Sequence, residues 1–292
     1  MSESVEEQEG SLSDGNLPGG SPREKSLPQG GAMPSASLGE ESSQKGEGLS
    51  QGASLQGSSP RQPMQNSMPL LKICGIRDAA AARLLGELPA DYAGFILAPS
   101  KRQISRAQAR ELIAAMREAA SAAGRLAPLA AGVFVNAPVD ELARAADAAG
   151  LDIVQLHGAE SPADCAAAAA ATGRPVWKAL HAGQVGGAQG SGPSPAELVR
   201  DYAAAGVSAL LLDTAGGGTG RTFDWELLPA YQHAAREAGL PLFAAGGLHP
   251  GNVGELIEGY RPDGIDVSSG VEQDGQKSPE LIRAFTGRVK QL

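Results

Sequence analysis

Two residues of the sequence stand where proton chemistry is feasible. Cys74 follows Lys72 by two positions in Leu70-Leu-Lys-Ile-Cys74, and Asp213 ends the apolar run Ala209-Leu-Leu-Leu-Asp213. Side chains two apart on a strand face the same way, so the spacing sets an ammonium beside a thiol. Such a neighbour favours the thiolate, the form able to abstract a proton. The alternative reading of Cys74 is a small buried apolar residue, the common fate of a free cysteine. Asp213 is followed by Gly216, Gly217, Gly218 and Gly220. A carboxylate at a strand's C-terminal end, beside bare backbone, is where α/β proteins meet ligands; the other reading is a turn cap and a plain connection. Cys165, in an Ala-rich helical stretch, is assigned to the core.

Further candidates stand at other strand ends. Lys101 and Arg102 follow the second apolar run, and Arg suits a planar carboxylate better than Lys does. Gln155 and His157, two apart in Gln155-Leu-His-Gly158, share a face and line the same mouth. His157 reads equally as a hydrogen-bonded wall or as a proton carrier. Ala244-Ala-Gly-Gly-Leu248 and Asp266-Val-Ser-Ser-Gly270 end the last two apolar runs. Backbone N–H groups and hydroxyls of Gly246, Gly247, Ser268, Ser269 and Gly270 can converge there on a phosphate.

These residues need elements to hold them. Strand-like runs fall at Leu70–Cys74, Tyr92–Leu97, Leu129–Val135, Ile153–Leu156, Val176–Leu180, Ala209–Asp213, Leu240–Ala245 and Gly264–Val267. Helical patterns lie at 78–88, 105–122, 138–149, 160–171, 194–205, 223–237, 249–259 and 277–290. Alternating strands and helices imply βαβ units and a parallel sheet. Eight units of roughly 28 residues each predict a closed (β/α)8 TIM barrel over residues 68–292. A doubly wound open sheet would want a Gly-rich fingerprint after its first strand, and Ile73-Cys-Gly-Ile-Arg-Asp78 is not one.

Residues 1–67 are a different material. They hold no Phe, Trp, Tyr or Ile, and their nine acidic and four basic side chains leave about five net negative charges. A segment so poor in apolar surface is predicted to be a disordered low-complexity tail. It lacks the apolar core of a secretory signal. A second low-complexity stretch, Gly183 to Pro195, interrupts the fifth unit and reads as a tolerated insertion or a mobile lid.

Composition narrows the function classes. The net charge is −9 with 42% hydrophobic and 4% aromatic residues over 292 positions. No basic stripe is present, which argues against nucleic acid. No apolar run reaches the length of a membrane span. Two isolated cysteines and four histidines, without metal-type spacing, argue against a metal site and for a cytoplasmic setting.

From Leu70 to the C-terminus the chain resembles the phosphoribosylanthranilate isomerase family of tryptophan biosynthesis. The resemblance rests on Lys72-Ile-Cys-Gly75, Gly94-Phe-Ile with Ser100-Lys-Arg102, Gly132-Val-Phe-Val-Asn136 and Val154-Gln-Leu-His-Gly158. It continues through Leu212-Asp213, Gly217-Gly-Thr-Gly-Arg-Thr-Phe-Asp-Trp225, Ala245-Gly-Gly-Leu248 and Asp266-Val-Ser-Ser-Gly-Val-Glu272. His249 and the 183–195 insertion depart from the family pattern. The resemblance implies an Amadori rearrangement with Cys74 as general base and Asp213 as general acid. It implies Arg102 at the anthranilate end, and Lys72, Gln155, His157, Gly217 and Gly218 around the substrate. Gly246, Gly247, Ser268, Ser269 and Gly270 would cradle the phosphate. The implied partner is a small phosphosugar with no cofactor and no metal, because the substrate nitrogen makes its own imine; association with other enzymes of the pathway stays open. Competing readings are other phosphosugar barrels, which would place Asp at position 74 or a Lys–Glu pair at the mouth, and a non-catalytic phosphate-ligand sensor.

Overall fold

The computed structural model describes residues 68–182, 192–214 and 224–291. The predicted tail, residues 183–191 of the insertion, and the loop carrying Gly217 and Gly218 lie outside the described residues. The elements run β1 (Leu70–Cys74), α1 (Ala79–Glu87), β2 (Tyr92–Ile96), α2 (Arg106–Ala122), β3 (Leu129–Phe134) and α3 (Val139–Ala149). Next come β4 (Ile153–Leu156), α4 (Pro162–Thr172), β5 (Val176–His181), α5 (Pro195–Ala204), β6 (Ala209–Asp213) and α6 (Leu228–Glu237). The chain continues with β7 (Leu242–Ala244), α7 (Val253–Tyr260), β8 (Gly264–Val267), β9 (Glu272–Gln273), β10 (Gln276–Lys277) and α8 (Pro279–Lys290). The eight principal strands close in sequence order, β8 pairing back to β1 with all neighbours parallel. The expected TIM barrel is therefore the fold.

Local chemistry marks where the helices start. Ser105 with Gln108, Ser161 with Asp164 and Ser194 with Glu197 form reciprocal capping boxes at α2, α4 and α5. Each satisfies two backbone donors that the first turn leaves without partners. Pro162, Pro195 and Pro279 each follow the cap, where a missing N–H costs nothing. Gly150 and Gly173 close α3 and α4 with φ of 70° and 62°, a left-handed conformation that glycine adopts without strain.

Two apolar cores result from the strand alternation. The larger lies between sheet and helices, with Ile73, Phe95, Leu210, Leu212 and Ile265 facing it from the strands. The smaller fills the barrel with Ala131, Ile153, Trp177, Ala179, Ala209, Leu211 and Phe243. There the rings of Tyr92, Trp177 and Phe243 meet, with centroids 4.7 to 5.7 Å apart. Gly264 pairs with Phe243 across β7 and β8, and a methyl group on it would lie 2.4 Å from that ring. Apolar packing thus plugs the lower barrel and leaves polar side chains to the mouth.

Three helix starts depart from the sequence expectation, α7 among them, which begins at Val253 rather than 249. The last helix, expected from 277, begins at Pro279, and residues 272–277 form an antiparallel hairpin instead. Its turn is Asp274-Gly275 with φ of 51° and 75°, the pattern of a two-residue type I′ turn. Both positions need the left-handed region, which a helix interior does not offer. The first turn before α6 is also tighter than expected, a 3-10 turn at Trp225–Leu227.

Candidate active site

Inward-facing positions of β1 and β8 build one wall. Their register sets Lys72 opposite Asp266, and Lys72 Nζ donates to both carboxylate oxygens at 3.0 Å. Burial pulls the ammonium down, but Asp266 and then Cys74 more than reverse this and leave Lys72 above the ordinary lysine value. Burial also raises Asp266, aided by the charge of Asp213 and opposed by Lys72. The double contact at 3.0 Å makes the two an ion pair. Cys74 sits at the end of β1, paired with Gly94 of β2. A methyl group on Gly94 would lie 2.6 Å from Cys74 Sγ, so only glycine there lets the thiol keep its place.

Lys72 does pull Cys74 toward the thiolate, but the net balance runs the other way. Burial, the largest influence, pushes the Cys74 thiol up and outweighs the pull of Lys72, with Asp266 adding to the rise. The sequence reading weighed an isolated ammonium, whereas the fold supplies its counter-charge.

The opposite wall comes from β4, β5 and β6. Asp213 closes β6 and is nearly buried. Its Oδ1 accepts the Thr214 N–H at 2.6 Å, and its Oδ2 lies 3.2 Å from His157 Nε2. His157 Nδ1 is in turn 3.0 Å from Gln155 Nε2. Gln155 is fully buried, and its Oε1 has no hydrogen-bond partner among the described residues. His181, cross-strand partner of Asp213, sets its ring 5.6 Å from that of His157 and tilted 59° to it. Burial, then His157, hold His181 below the ordinary histidine value despite the nearby Asp213.

The hairpin closes a third side. Arg102, in the β2–α2 loop, gives Nε and Nη2 to the two oxygens of Glu272, both at 2.7 Å. Glu272 Oε1 also takes Lys277 Nζ at 2.8 Å, and Lys277 donates to the Ser268 carbonyl at 2.9 Å. Arg102 is raised, chiefly by the Glu272 hydrogen bonds. Burial would raise Glu272, yet Arg102 and Lys277 hold it below the usual carboxylate range. Arg77 ties the hairpin down, reaching the carbonyls of Lys101 and Gly275. All of this lies over Gly75: a methyl group there would meet Arg102 Cδ at 2.8 Å, Ser268 Oγ at 3.2 Å and Lys277 Nζ at 3.6 Å.

The fourth side joins the loops after β7 and β8. Gly246 and Gly247 have φ of 83° and 63°. Gly246 lies so close to β6 that a methyl group would fall 2.7 Å from Asp213 Oδ1. Asn252 Nδ2 donates to the Gly247 carbonyl at 3.1 Å, fixing the turn. Ser269 and Gly270 open a short 3-10 turn, Ser269–Val271. Gly270 packs on the Leu248 carbonyl, 1.7 Å from where its own methyl group would stand.

The structure thus brings Lys72, Cys74, Arg102, Gln155, His157, Asp213, Gly246, Gly247, Ser268, Ser269 and Gly270 to one end of the barrel. Gly217 and Gly218 lie outside the described residues. Four participants went unassigned in the sequence: Asp266, His181, Glu272 and Lys277. Period-two alternation could have found two of them, since Asp266 precedes Ser268 by two and His181 follows Ala179 by two. Outside the barrel, Lys178 forms a further buried pair with Glu160 at 2.8 Å. It also donates to the Gly158 carbonyl at 2.7 Å, which fastens the loop carrying His157.

Residues 71–288 match the model of the N-(5′-phosphoribosyl)anthranilate isomerase family. An isomerase of that name from Brevibacillus brevis is 42% identical over 227 residues, covering 76% of this chain and 94% of the relative. One from Bacillus subtilis is 38% identical over 221 residues, covering 76% and 95%. The phosphoribosylanthranilate isomerase crystal structure from Thermus thermophilus superposes with a TM-score of 0.62 at 31% identity, covering 76% of this chain and 98% of that one. Another structure of this enzyme, in complex with reduced 1-(o-carboxyphenylamino)-1-deoxyribulose 5-phosphate, gives 0.59 at 32% identity, covering 77% and 100%. With the family's match running from β1 into α8, the chain belongs to the N-(5′-phosphoribosyl)anthranilate isomerases.

Proposed function

We infer that the chain catalyses the Amadori rearrangement of N-(5-phosphoribosyl)anthranilate in tryptophan biosynthesis, with Asp213 as general acid and Cys74 as general base. The product is 1-(2-carboxyphenylamino)-1-deoxyribulose 5-phosphate. Asp213 gives its proton to the ribose ring oxygen as the C1–O bond breaks, and the nitrogen lone pair forms the C1=N bond. Cys74, as thiolate, takes the C2 proton, and the C–H electrons form the C1=C2 double bond of the enolamine. The C2 hydroxyl then loses its proton while C1 gains one, leaving a ketone at C2 and an amine at C1. The substrate's own nitrogen acts as the electron sink, so ring opening and both later steps need only proton transfers from the protein.

The observation that supports one site for both groups is the position of Asp266, paired with Lys72 two residues before Cys74. Its charge acts on Cys74, and the charge of Asp213 acts on it, so acid and base border one polar floor. The pair Lys72–Asp266 supports that floor from below rather than reaching for substrate. Arg102, anchored by Glu272, retains N–H groups for the anthranilate carboxylate. Successive left-handed glycines such as Gly246 and Gly247 favour an anion-binding concavity, and Ser269 with Gly270 adds a short helical start facing the same place. A small phosphosugar is the ligand this arrangement suits. The two free cysteines support a reducing, cytoplasmic setting.

The test uses the fluorescence of the anthranilate substrate with the purified chain. Decay that Cys74→Ser abolishes while a product analogue still binds supports the reading. Binding without decay in the unmodified protein would make it a sensor.

A further inference from the structure

The charges around Cys74 do not balance. Lys72, on the same strand, is matched one to one by Asp266 of β8. Arg102 of the β2–α2 loop and Lys277 of the hairpin share a single carboxylate, Glu272. That second group therefore carries one net positive charge beside the thiol. The two cations within it are unequal. Arg102 engages both oxygens of Glu272, and its side chain is 20% exposed. The Lys277 side chain is 2% exposed, touches only one Glu272 oxygen, and finds its other partner in the neutral Ser268 carbonyl. A charge shielded from water and only half met by a carboxylate acts strongly on its neighbours.

We propose that Lys277 is a positioning residue for the isomerisation: Glu272 and the Ser268 carbonyl hold its ammonium over Gly75, where its surplus charge favours the thiolate of Cys74. The proposal rests on the reading of Cys74 as general base. The hairpin, inserted between β8 and α8, then has a task. It delivers a second cation, from outside the barrel, to a strand whose own cation shares its charge with Asp266. The electrostatics agree in sign, since Lys72 and then Lys277 pull the thiol down against burial and Asp266; burial lowers Lys277 itself, and Glu272 and then Cys74 work to keep its charge. A purely structural role would need only a donor that staples the hairpin to Ser268.

Full-length Lys277→Gln and Lys277→Arg separate the two roles. Gln keeps a donor for Ser268 without the charge; Arg keeps the charge. Alkylation of Cys74 by iodoacetamide, followed by mass spectrometry of its peptide across the neutral and alkaline range, reads the thiolate without turnover. Lys277→Gln should slow alkylation at fixed pH roughly three- to tenfold, the size of a half- to one-unit move. The alkylation midpoint and the rising limb of kcat/KM should shift to higher pH together, and Lys277→Arg should restore most of both. An unmoved alkylation midpoint in a folded Lys277→Gln protein overturns the proposal, even if turnover falls. Cys74→Ser assayed in parallel tests the base assignment by itself: retained turnover there removes the base and leaves the alkylation result standing as a statement about the thiol.

Discussion

His157 bridges Gln155 and Asp213, its Nδ1 3.0 Å from the amide nitrogen and its Nε2 3.2 Å from the carboxylate. With the Gln155 nitrogen turned to Nδ1, the imidazole proton sits on Nε2 and points at Asp213. With the amide turned over, Nδ1 donates to the Gln155 oxygen, and Nε2 accepts a proton held by Asp213. The second arrangement is the one a general acid needs, and only an amide can serve both. Gln155→Leu preserves volume but serves neither. It should lower kcat about tenfold or more while product-analogue affinity changes little. Steady-state kinetics with a binding titration check this; an unchanged kcat removes Gln155 from the proton path.

Cys74→Ser and Asp213→Asn should each lower kcat by about two to four orders of magnitude, the usual contribution of a positioned proton carrier. Both should leave analogue binding within a few-fold of the parent. A variant that raises KM at constant kcat is acting on binding, and the role assigned to that residue is then wrong.

Two glycines should respond differently to the same added methyl group. Gly94→Ala places it 2.6 Å from Cys74 Sγ and 2.9 Å from Cys74 Cα, at the mouth. Gly264→Ala places it 2.4 Å from the Phe243 ring, in the apolar plug. Each overpacks a filled site and should cost about 1–3 kcal/mol of stability. Only Gly94→Ala should also depress kcat, since it displaces the thiol. Denaturant melts paired with kinetics decide the matter, and equal activity losses would show that the plug and the mouth move as one.

Stability should fall on the alkaline side. Burial raises the Cys165 thiol from 9.0 to about 11. The unfolded chain therefore ionises first, and this contribution is complete below pH 9 and is lost as pH rises toward 11. Its full size is on the order of 2 kcal/mol. Tyr202 and Tyr231, raised by burial from 10.0 to about 12, extend the same slope. Cys165→Ala should flatten the first part of the decline in chemical denaturation at stepped pH, and an identical slope would show that Cys165 is not its source.

The barrel was legible because its signal is local. Leu70–Cys74, Ile153–Leu156, Ala209–Asp213 and Gly264–Val267 stand in the structure with the bounds their composition implied, since a strand buried on both faces is mostly apolar and its few polar residues belong to the site. The hairpin was missed although Asp274-Gly275 is a turn signal. Its strands are two residues each, too short for any periodicity, and the helical pattern just beyond absorbed Lys277.

By itself the sequence determined which side chains end each strand, and hence that Cys74, His157 and Asp213 share a mouth. A period of two and an eightfold alternation leave little freedom in that. What only the tertiary structure decided is the charge each of them feels. Lys72 meets a carboxylate 194 positions away, and Glu272 divides itself between Arg102 and Lys277. Ionisation depends on distance and on the exclusion of water, and neither exists until the strands have closed.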